Sequence, residues 1–198
     1  MIICKTPYRI PLVGGGTDLD FYYKKRGGFL ISSTINHYIY TCITERTTDE
    51  KILIQTTSTQ FATNVDQIKH RMIKAVLKHF SIKNKITVGT YSTLPTGVGL
   101  GSSTATIIGL INCLKELLNI KINNKEIVKK AFYLERNLLG IDGGWQDQII
   151  STYGGMKKIE INKNGSYRVN DLKINKSKIK NFEKYLLLIY TNVNRDSS

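Results

Sequence analysis

The stretch Pro95-Thr96-Gly97-Val98-Gly99-Leu100-Gly101-Ser102-Ser103-Thr104-Ala105 decides how the rest of the chain is read. Three glycines at alternate positions free the backbone to turn tightly and leave its N–H groups uncovered. Upstream, Ile86 and Val88 alternate with polar residues and predict a strand. Downstream, Ile107, Leu110, Ile111, Leu114 and Leu118 form a broad apolar stripe that predicts a helix over residues 103–118. A strand, a glycine loop and a helix N-terminus in succession make a concave set of amide donors suited to phosphate oxygens. Ser102 and Ser103 add hydroxyls there, toward phosphate or Mg²⁺. Two other phosphate loops are excluded, because the lysine of G-x-x-x-x-G-K-[ST] is missing and the glycine spacing does not fit G-x-G-x-x-G. The residues alone leave a plainer alternative open, a glycine-rich turn before a serine-capped helix.

Outward from the loop, residues 1–6 and 9–13 are short apolar runs separated by Pro7 and followed by Gly14-Gly15-Gly16. Asp18 stands where a cap would start a helical turn over residues 19–25. Residues 29–33, 38–44 and 52–56 are rich in β-branched and aromatic side chains and predict strands. Val65, Ile68, Met72, Val76 and Phe80 recur at helical spacing, which predicts an amphipathic helix over residues 65–80. Two more helices are predicted over residues 123–139, stopped by Gly140, and over 146–152, before Gly154-Gly155. Residues 156–161 and 185–190 read as strands with a polar, lysine-rich connection between them. Strands come first and helices cluster afterwards, which predicts an α+β fold rather than a βαβ alternation. The apolar strand over residues 185–190 has little chain after it to cover it. The chain is therefore expected to be the front part of a longer protein, with one domain over residues 1–180 and the start of a second over 181–198.

With 198 residues, 41% hydrophobic, 3 prolines and no low-complexity tract, the composition excludes a disordered chain and allows a sizeable core. The net charge of +14 favours anionic partners: nucleic acid, membrane lipid or phosphorylated small molecules. The plain alternative is a solvated lysine-rich surface, and Lys173, Lys176, Lys178, Lys180 and Lys184 read as an exposed face or a linker. Cys4, Cys42 and Cys113 are far apart with no CxxC pair, and His37, His70 and His79 are scattered. That pattern supports neither zinc nor a disulfide framework and fits buried thiols in a reducing cytosol. No charged start with an apolar run marks a signal peptide, and no stretch reaches about 18 apolar residues, so a cytoplasmic protein is expected.

Three further segments carry candidate chemistry. Thr6-Pro7-Tyr8-Arg9-Ile10-Pro11-Leu12-Val13-Gly14-Gly15-Gly16-Thr17-Asp18 reads on its own as a strand, a tight turn and a helix cap. Leu134-Glu135-Arg136-Asn137-Leu138-Leu139-Gly140 reads as a helix end with an exposed glutamate. In Gly143-Gly144-Trp145-Gln146-Asp147-Gln148 the glycines permit a close backbone approach, and Asp147 reads as a helix N-cap or as a functional carboxylate. Trp145 either walls a pocket or fills the core.

Taken in order, the four segments resemble the motifs of the GHMP kinases, a superfamily that includes galactokinase, homoserine kinase, mevalonate kinase and phosphomevalonate kinase. The resemblance implies the α+β N-terminal GHMP domain, similar to ribosomal protein S5 domain 2, and transfer of the γ-phosphoryl group of ATP to a small molecule. It assigns ATP binding to Pro95, Gly97, Val98, Gly99, Leu100, Gly101, Ser102, Ser103 and Thr104. By likeness to galactokinases and mevalonate kinases, Arg9 stands near the reacting hydroxyl and Asp147 is the catalytic base. Ser103 and Glu135 match the residues that hold Mg²⁺ in mevalonate kinases. Sugar contacts map onto Gly15, Gly16, Thr17 and Asp18, and onto Gly144 and Trp145. Gly15-Gly16 stand where galactokinases carry Glu-His, a departure from galactose-type contacts.

The wording Arg-Ile-Pro-Leu-x-Gly-Gly-Gly-Thr-Asp is most similar to the D-glycero-D-manno-heptose 7-phosphate kinase branch. Gly-Gly-Trp-Gln-Asp-Gln is also similar to L-fucokinases, and both groups phosphorylate an anomeric hydroxyl. The expected partner is a sugar or sugar phosphate, with Arg195 a candidate for meeting its phosphate, and neither nucleic acid nor membrane. The superfamily's third, glycine-rich motif belongs to its second domain and is not in these residues, so little turnover is expected of this chain alone. The remaining alternative is an RNA-binding module of the same fold, which the net charge suits but which no stripe of basic residues interleaved with aromatics supports.

Overall fold

The computed structural model describes residues 1–95, 97–187 and 189. Strand β1 (Ile2–Val13) runs antiparallel to the long strand β2 (Gly28–Glu45). Pro7 does not end β1. The register instead shifts between Pro7 and Arg9 and again between Pro11 and Val13, where irregular pairing absorbs residues without a full ladder. The two strands expected within residues 29–44 are one, because β1 pairs along most of that length while two other strands share the opposite edge. These are β5 (Ile86–Ser92), against residues 39–45, and β6 (Met156–Ile161), against residues 28–33. A short hairpin of β3 (Ile52–Gln55) and β4 (Thr59–Ala62) adds to β5, with β3 parallel to it, and β7 (Tyr167–Asp171) pairs with β6. The result is a seven-stranded mixed sheet in the order β4-β3-β5-β2-β6-β7, with β1 on the other edge of β2.

The helices are α1 (Asp20–Arg26), α2 (Arg71–His79), α3 (Ser102–Leu117), α4 (Asn124–Phe132), α5 (Gln146–Tyr153) and α6 (Lys176–Glu183). The helix expected over residues 65–80 is broken. Asn64 caps a short 3₁₀ turn at Val65–Gln67, Ile68 is extended, and His70 restarts the chain as the cap of α2. Asn123 and Glu126 form a reciprocal capping box at the start of α4. Beyond Phe132 that helix widens into a π turn, Tyr133–Leu138. Asp18 does not cap α1, whose flanking residue Leu19 makes no side-chain cap. Within the stretch expected as a strand over residues 185–190, Tyr185, Leu186 and Leu187 are exposed and unpaired, and the remainder falls partly outside the described residues, as does Arg195. No helix among the described residues is long and apolar enough to cross a membrane.

Helix α3 packs against β1 and β2, α2 and α4 pack on α3, and together they bury a core that includes Ile43, Ile54, Val88, Ile107 and Leu110. Helix α3 lies deepest. A Cβ on its Gly109 would sit 2.4 Å from the Thr41 hydroxyl of β2 and 3.1 Å from that of Thr6 on β1. Gly109→Ala is therefore expected to destabilise the fold by about 1–3 kcal/mol through overpacking, despite alanine's better helix propensity. The midpoint of urea unfolding measures it, and an unchanged or raised midpoint would contradict the close packing.

The three cysteines, remote in sequence, sit on adjacent elements: Cys4 on β1, Cys42 on β2 and the buried Cys113 on α3. A hydrogen bond with Cys113 lowers the Cys4 thiol to about 7, against the opposing effect of burial. The same bond, with burial, pushes Cys113 far up. Iodoacetamide labelling of Cys4 should rise with a midpoint near pH 7, with Cys113 unreactive across the range. Equal labelling of the two would contradict that pairing.

Candidate active site

Gly97, Gly99 and Gly101 all have positive φ (78°, 74° and 82°), so left-handed residues alternate along the loop. Such an alternation turns successive N–H groups toward one concavity. Gly101 flanks the first residue of α3, and no side chain caps that helix, so the amide donors of its first turn stay open beside Ser102 and Ser103. The loop is tied to β1 by the Arg9 amide, which donates to the Leu100 carbonyl (3.2 Å), and by Arg9 Nη1, which donates to the Gly99 carbonyl (2.9 Å). Leu100 tucks its side chain against Tyr8, Ile39 and Ala105.

Arg9 also forms a two-pronged ion pair with Asp147. Its Nε donates to Oδ1 and its Nη2 to Oδ2, both at 2.6 Å, across 138 residues of sequence. Asp147 lies in the first turn of α5, inside the helix rather than at its cap. The cap is Asp18, whose Oδ2 accepts from the Gln146 amide at 2.9 Å. This contact requires glycine at 144, where a Cβ would lie 2.1 Å from that same oxygen. The loop at residues 14–18 is held to β2 by Thr17, whose hydroxyl lies 2.8 Å from both the Gly14 and Phe29 carbonyls and accepts from the Phe29 amide.

Glu135 is 1% exposed, on the π turn that follows α4. Its Oε1 accepts from the Ser103 hydroxyl (2.5 Å), and its Oε2 accepts from Thr104 (2.5 Å) and from the Gln148 amide (2.6 Å). Arg136 Nη2 stands 3.8 Å from Oε2. The Arg136 guanidinium donates in addition to the carbonyls of Ile141, Asp142 and Gly144, and so shapes the loop that precedes α5. A cleft of about 540 Å³ collects these parts; Arg9, Asp18, Ser102, Ser103, Glu135 and Asp147 all line it.

Residues 67–155 match the family model described as the GHMP kinases N terminal domain. A D-glycero-alpha-D-manno-heptose 7-phosphate kinase of Campylobacter jejuni is 33% identical over 205 residues, covering 98% of this chain and 60% of that protein. The crystal structure of a D-glycero-D-manno-heptose 1-phosphate kinase from Bacteriodes thetaiotaomicron superposes with a TM-score of 0.84 at 28% identity, over 91% of this chain and 62% of that one. A bifunctional fucokinase/GDP-fucose pyrophosphorylase of Arabidopsis thaliana is 27% identical over 76% of this chain, which spans 16% of it. The chain carries a GHMP kinase N-terminal domain. It spans about three fifths of the length of the Campylobacter and Bacteriodes proteins.

Within the GHMP domain, the cleft gathers Arg9, Gly16, Asp18, Gly97, Gly99, Gly101, Ser102, Ser103, Glu135, Gly144 and Asp147 from the residues expected at a site. The others lie elsewhere. Thr104 is buried and bonded to Glu135, Pro95 is exposed, and Val98 and Leu100 are half-buried outside the lining. Gly15 is outside it too, where a Cβ would make only ordinary contact with Pro11. Thr17 serves as the clamp described above. Trp145 is half-buried and packs against the core, its ring stacked on Phe132 at 3.7 Å and 11°, because α4 and β7 bring aromatic partners to it. The exposed-glutamate reading of Glu135 is overturned by its burial.

Arg136, Gln146 and Gln148 were not singled out in the sequence, although each belongs to a quoted motif. Gln146 donates to the Ser32 hydroxyl, and both glutamines are buried. Among the described residues no group of three or more acids, histidines or cysteines is placed to hold a metal ion, and the donor that fits Mg²⁺ is the Ser103 hydroxyl in an acidic cleft. Four carboxylates (Asp18, Glu135, Asp142, Asp147) line the cleft against two guanidiniums, and the Ser103 hydroxyl keeps its lone pairs while it donates to Glu135. Both Glu135 oxygens already accept hydrogen bonds, so its fit is as the group that orients Ser103.

Glu135→Ala leaves the Ser103, Thr104 and Gln148 donors without an acceptor and should lower stability by about 2–4 kcal/mol in chemical denaturation. A change within about 0.5 kcal/mol, normal for a surface substitution, would contradict its role as a buried hub.

Proposed function

We propose that this chain forms the nucleotide- and acceptor-binding part of an ATP-dependent sugar kinase. The acceptor is the anomeric hydroxyl of a sugar phosphate of the heptose 7-phosphate type. The observation that carries the reading is the Arg9–Asp147 pair, set beside the open N-terminus of α3 in one cleft. Phosphoryl transfer asks little covalent work of a protein and much positioning and charge neutralisation.

The amides of residues 97–103 bind the β- and γ-phosphates, where the alternating left-handed glycines leave them uncovered. Asp147 accepts the proton of the attacking hydroxyl. Each of its oxygens spends one lone pair on Arg9 and retains another for that proton. Arg9 holds Asp147 in place and faces the charge that develops on the transferring group. Asp18 and the Gly16 and Gly144 backbones border the space left for the sugar. Ser103, oriented by Glu135, and the nucleotide's phosphates would hold Mg²⁺, which when bound neutralises phosphate charge. Sugar choice rests on the 33% identity with the Campylobacter kinase. A fucokinase-type acceptor is the second reading, favoured by the similarity to the Arabidopsis protein.

ADP release by the intact protein with Mg-ATP tests this, with heptose 7-phosphate, fucose, galactose and mannose as acceptors. Turnover of the heptose phosphate alone is the expected result. Fucose turnover selects the second reading, and silence on every sugar in folded protein overturns both. Asp147→Asn should lower the rate by about 10² to 10⁴. Activity within a factor of about three, less than about 0.7 kcal/mol of barrier, would remove Asp147 from the base role.

A further inference from the structure

Thr17 borders a second cleft, also of about 540 Å³, while its neighbours Gly16 and Asp18 line the first. Tyr22 and Arg26 of α1, Phe29 of β2, Glu160 of β6, Asn162 after it and Arg168 of β7 contribute to its walls. Part of it is bare backbone. A Cβ at Gly28 would lie 2.5 Å from the Thr17 carbonyl, so no side chain can fill that position.

The arginines single this cleft out. Arg9 and Arg46 donate to carboxylates, and Arg71 and Arg136 donate to carbonyls. Arg26 and Arg168 make no side-chain hydrogen bond or ion pair among the described residues, and both line this cleft. The acid that could have answered Arg168 is Glu160, its register partner on β6. Glu160 instead lies 2.9 Å from Lys158 Nζ. The other acid nearby on α1, Asp20, is taken by Lys24. Two guanidinium forks on separate elements are thus left with unused donors around one concavity. A planar fork of this kind matches pairs of phosphate oxygens and is more weakly hydrated than an ammonium group.

We propose that this cleft binds a phosphomonoester between Arg26 and Arg168, either free phosphate or the phosphate of a sugar phosphate. The site is separate from the glycine-rich loop and does not depend on the kinase reading. Its occupancy bears on the first cleft through Thr17, whose hydroxyl clamps the loop that carries Gly16 and Asp18.

Calorimetric titration of the intact protein tests this at fixed ionic strength, with Mg-ADP present to occupy the glycine-rich loop. Inorganic phosphate, glucose 6-phosphate and glucose are the probes. Expected is binding of one or both phosphates and not of glucose, weakened at least tenfold in Arg26→Gln/Arg168→Gln. The control Lys25→Gln/Lys163→Gln, which removes the same charge from exposed positions, should stay within twofold of wild type. Tighter binding of glucose 6-phosphate assigns the site to sugar phosphates, and equal binding assigns it to free phosphate. Affinity in the arginine variant within twofold of wild type, or an equal loss in the lysine control, overturns the proposal. All four substituted residues are exposed, and an unchanged melting temperature in the absence of phosphate verifies the fold.

Discussion

A carboxylate out of reach of water sets the arrangement of everything around the cleft. Taking Glu135 into the interior costs several kcal/mol unless its oxygens are met by donors of good geometry. Those donors come from the first turn of α3 (Ser103, Thr104), from α5 (Gln148) and from the neighbouring Arg136. The carboxylate therefore registers three helices against one another. Since α3 follows the glycine-rich loop and Asp147 lies in the first turn of α5, that registration also fixes the loop relative to the proposed base. The π turn contributes directly. Each residue of an α-helix advances the side-chain direction by about 100°, so a locally wider turn re-aims Glu135 relative to a regular continuation of α4.

Close backbone approach is the second constraint. Gly144 lets Asp18 cap α5 from 128 residues away, and a Cβ added at Gly101 would lie 3.4–3.5 Å from the Arg9 and Asp147 side chains. The N-termini of α3 and α5 consequently open on the same cleft, where their dipoles favour anions. The carboxylates lining the cleft work the other way, and under the proposed function a divalent cation held by Ser103 and the nucleotide's phosphates would offset them.

The parts of this architecture that sequence made legible are those written in local chemistry. Alternating glycines and the apolar stripe of α3 act within a few residues, and each formed where expected. The family resemblance brought Arg9 and Asp147 together on paper, and they form an ion pair. What escaped depends on distant partners. Asp18 looked like the cap of the helix beside it, yet its acceptor is used by α5. Residues 34–37 carry weak strand signals, and only pairing with β1 and its neighbours joins the two halves of β2. Gln146 and Gln148 read as polar helix residues, because burial of an amide shows only once Ser32 and Glu135 are known to meet it. Trp145 was ambiguous for the same reason: its partners Phe132 and Tyr167 lie 13 residues before it and 22 after it.

Arg9 shows how a site of this kind can be rigid and still receptive. A guanidinium has five N–H donors. Three are spent within the protein, two on Asp147 and one on the Gly99 carbonyl. These bonds fix the plane of the group and hold it against both the glycine-rich loop and Asp147. One N–H on each terminal nitrogen is left over. An anion arriving in the cleft can take those donors without any existing bond being exchanged, so the charge that meets it is already oriented. Stabilisation by a group that need not reorganise is the form of electrostatic help that the proposed phosphoryl transfer would use most, and it follows here from hydrogen bonds that also hold the fold together.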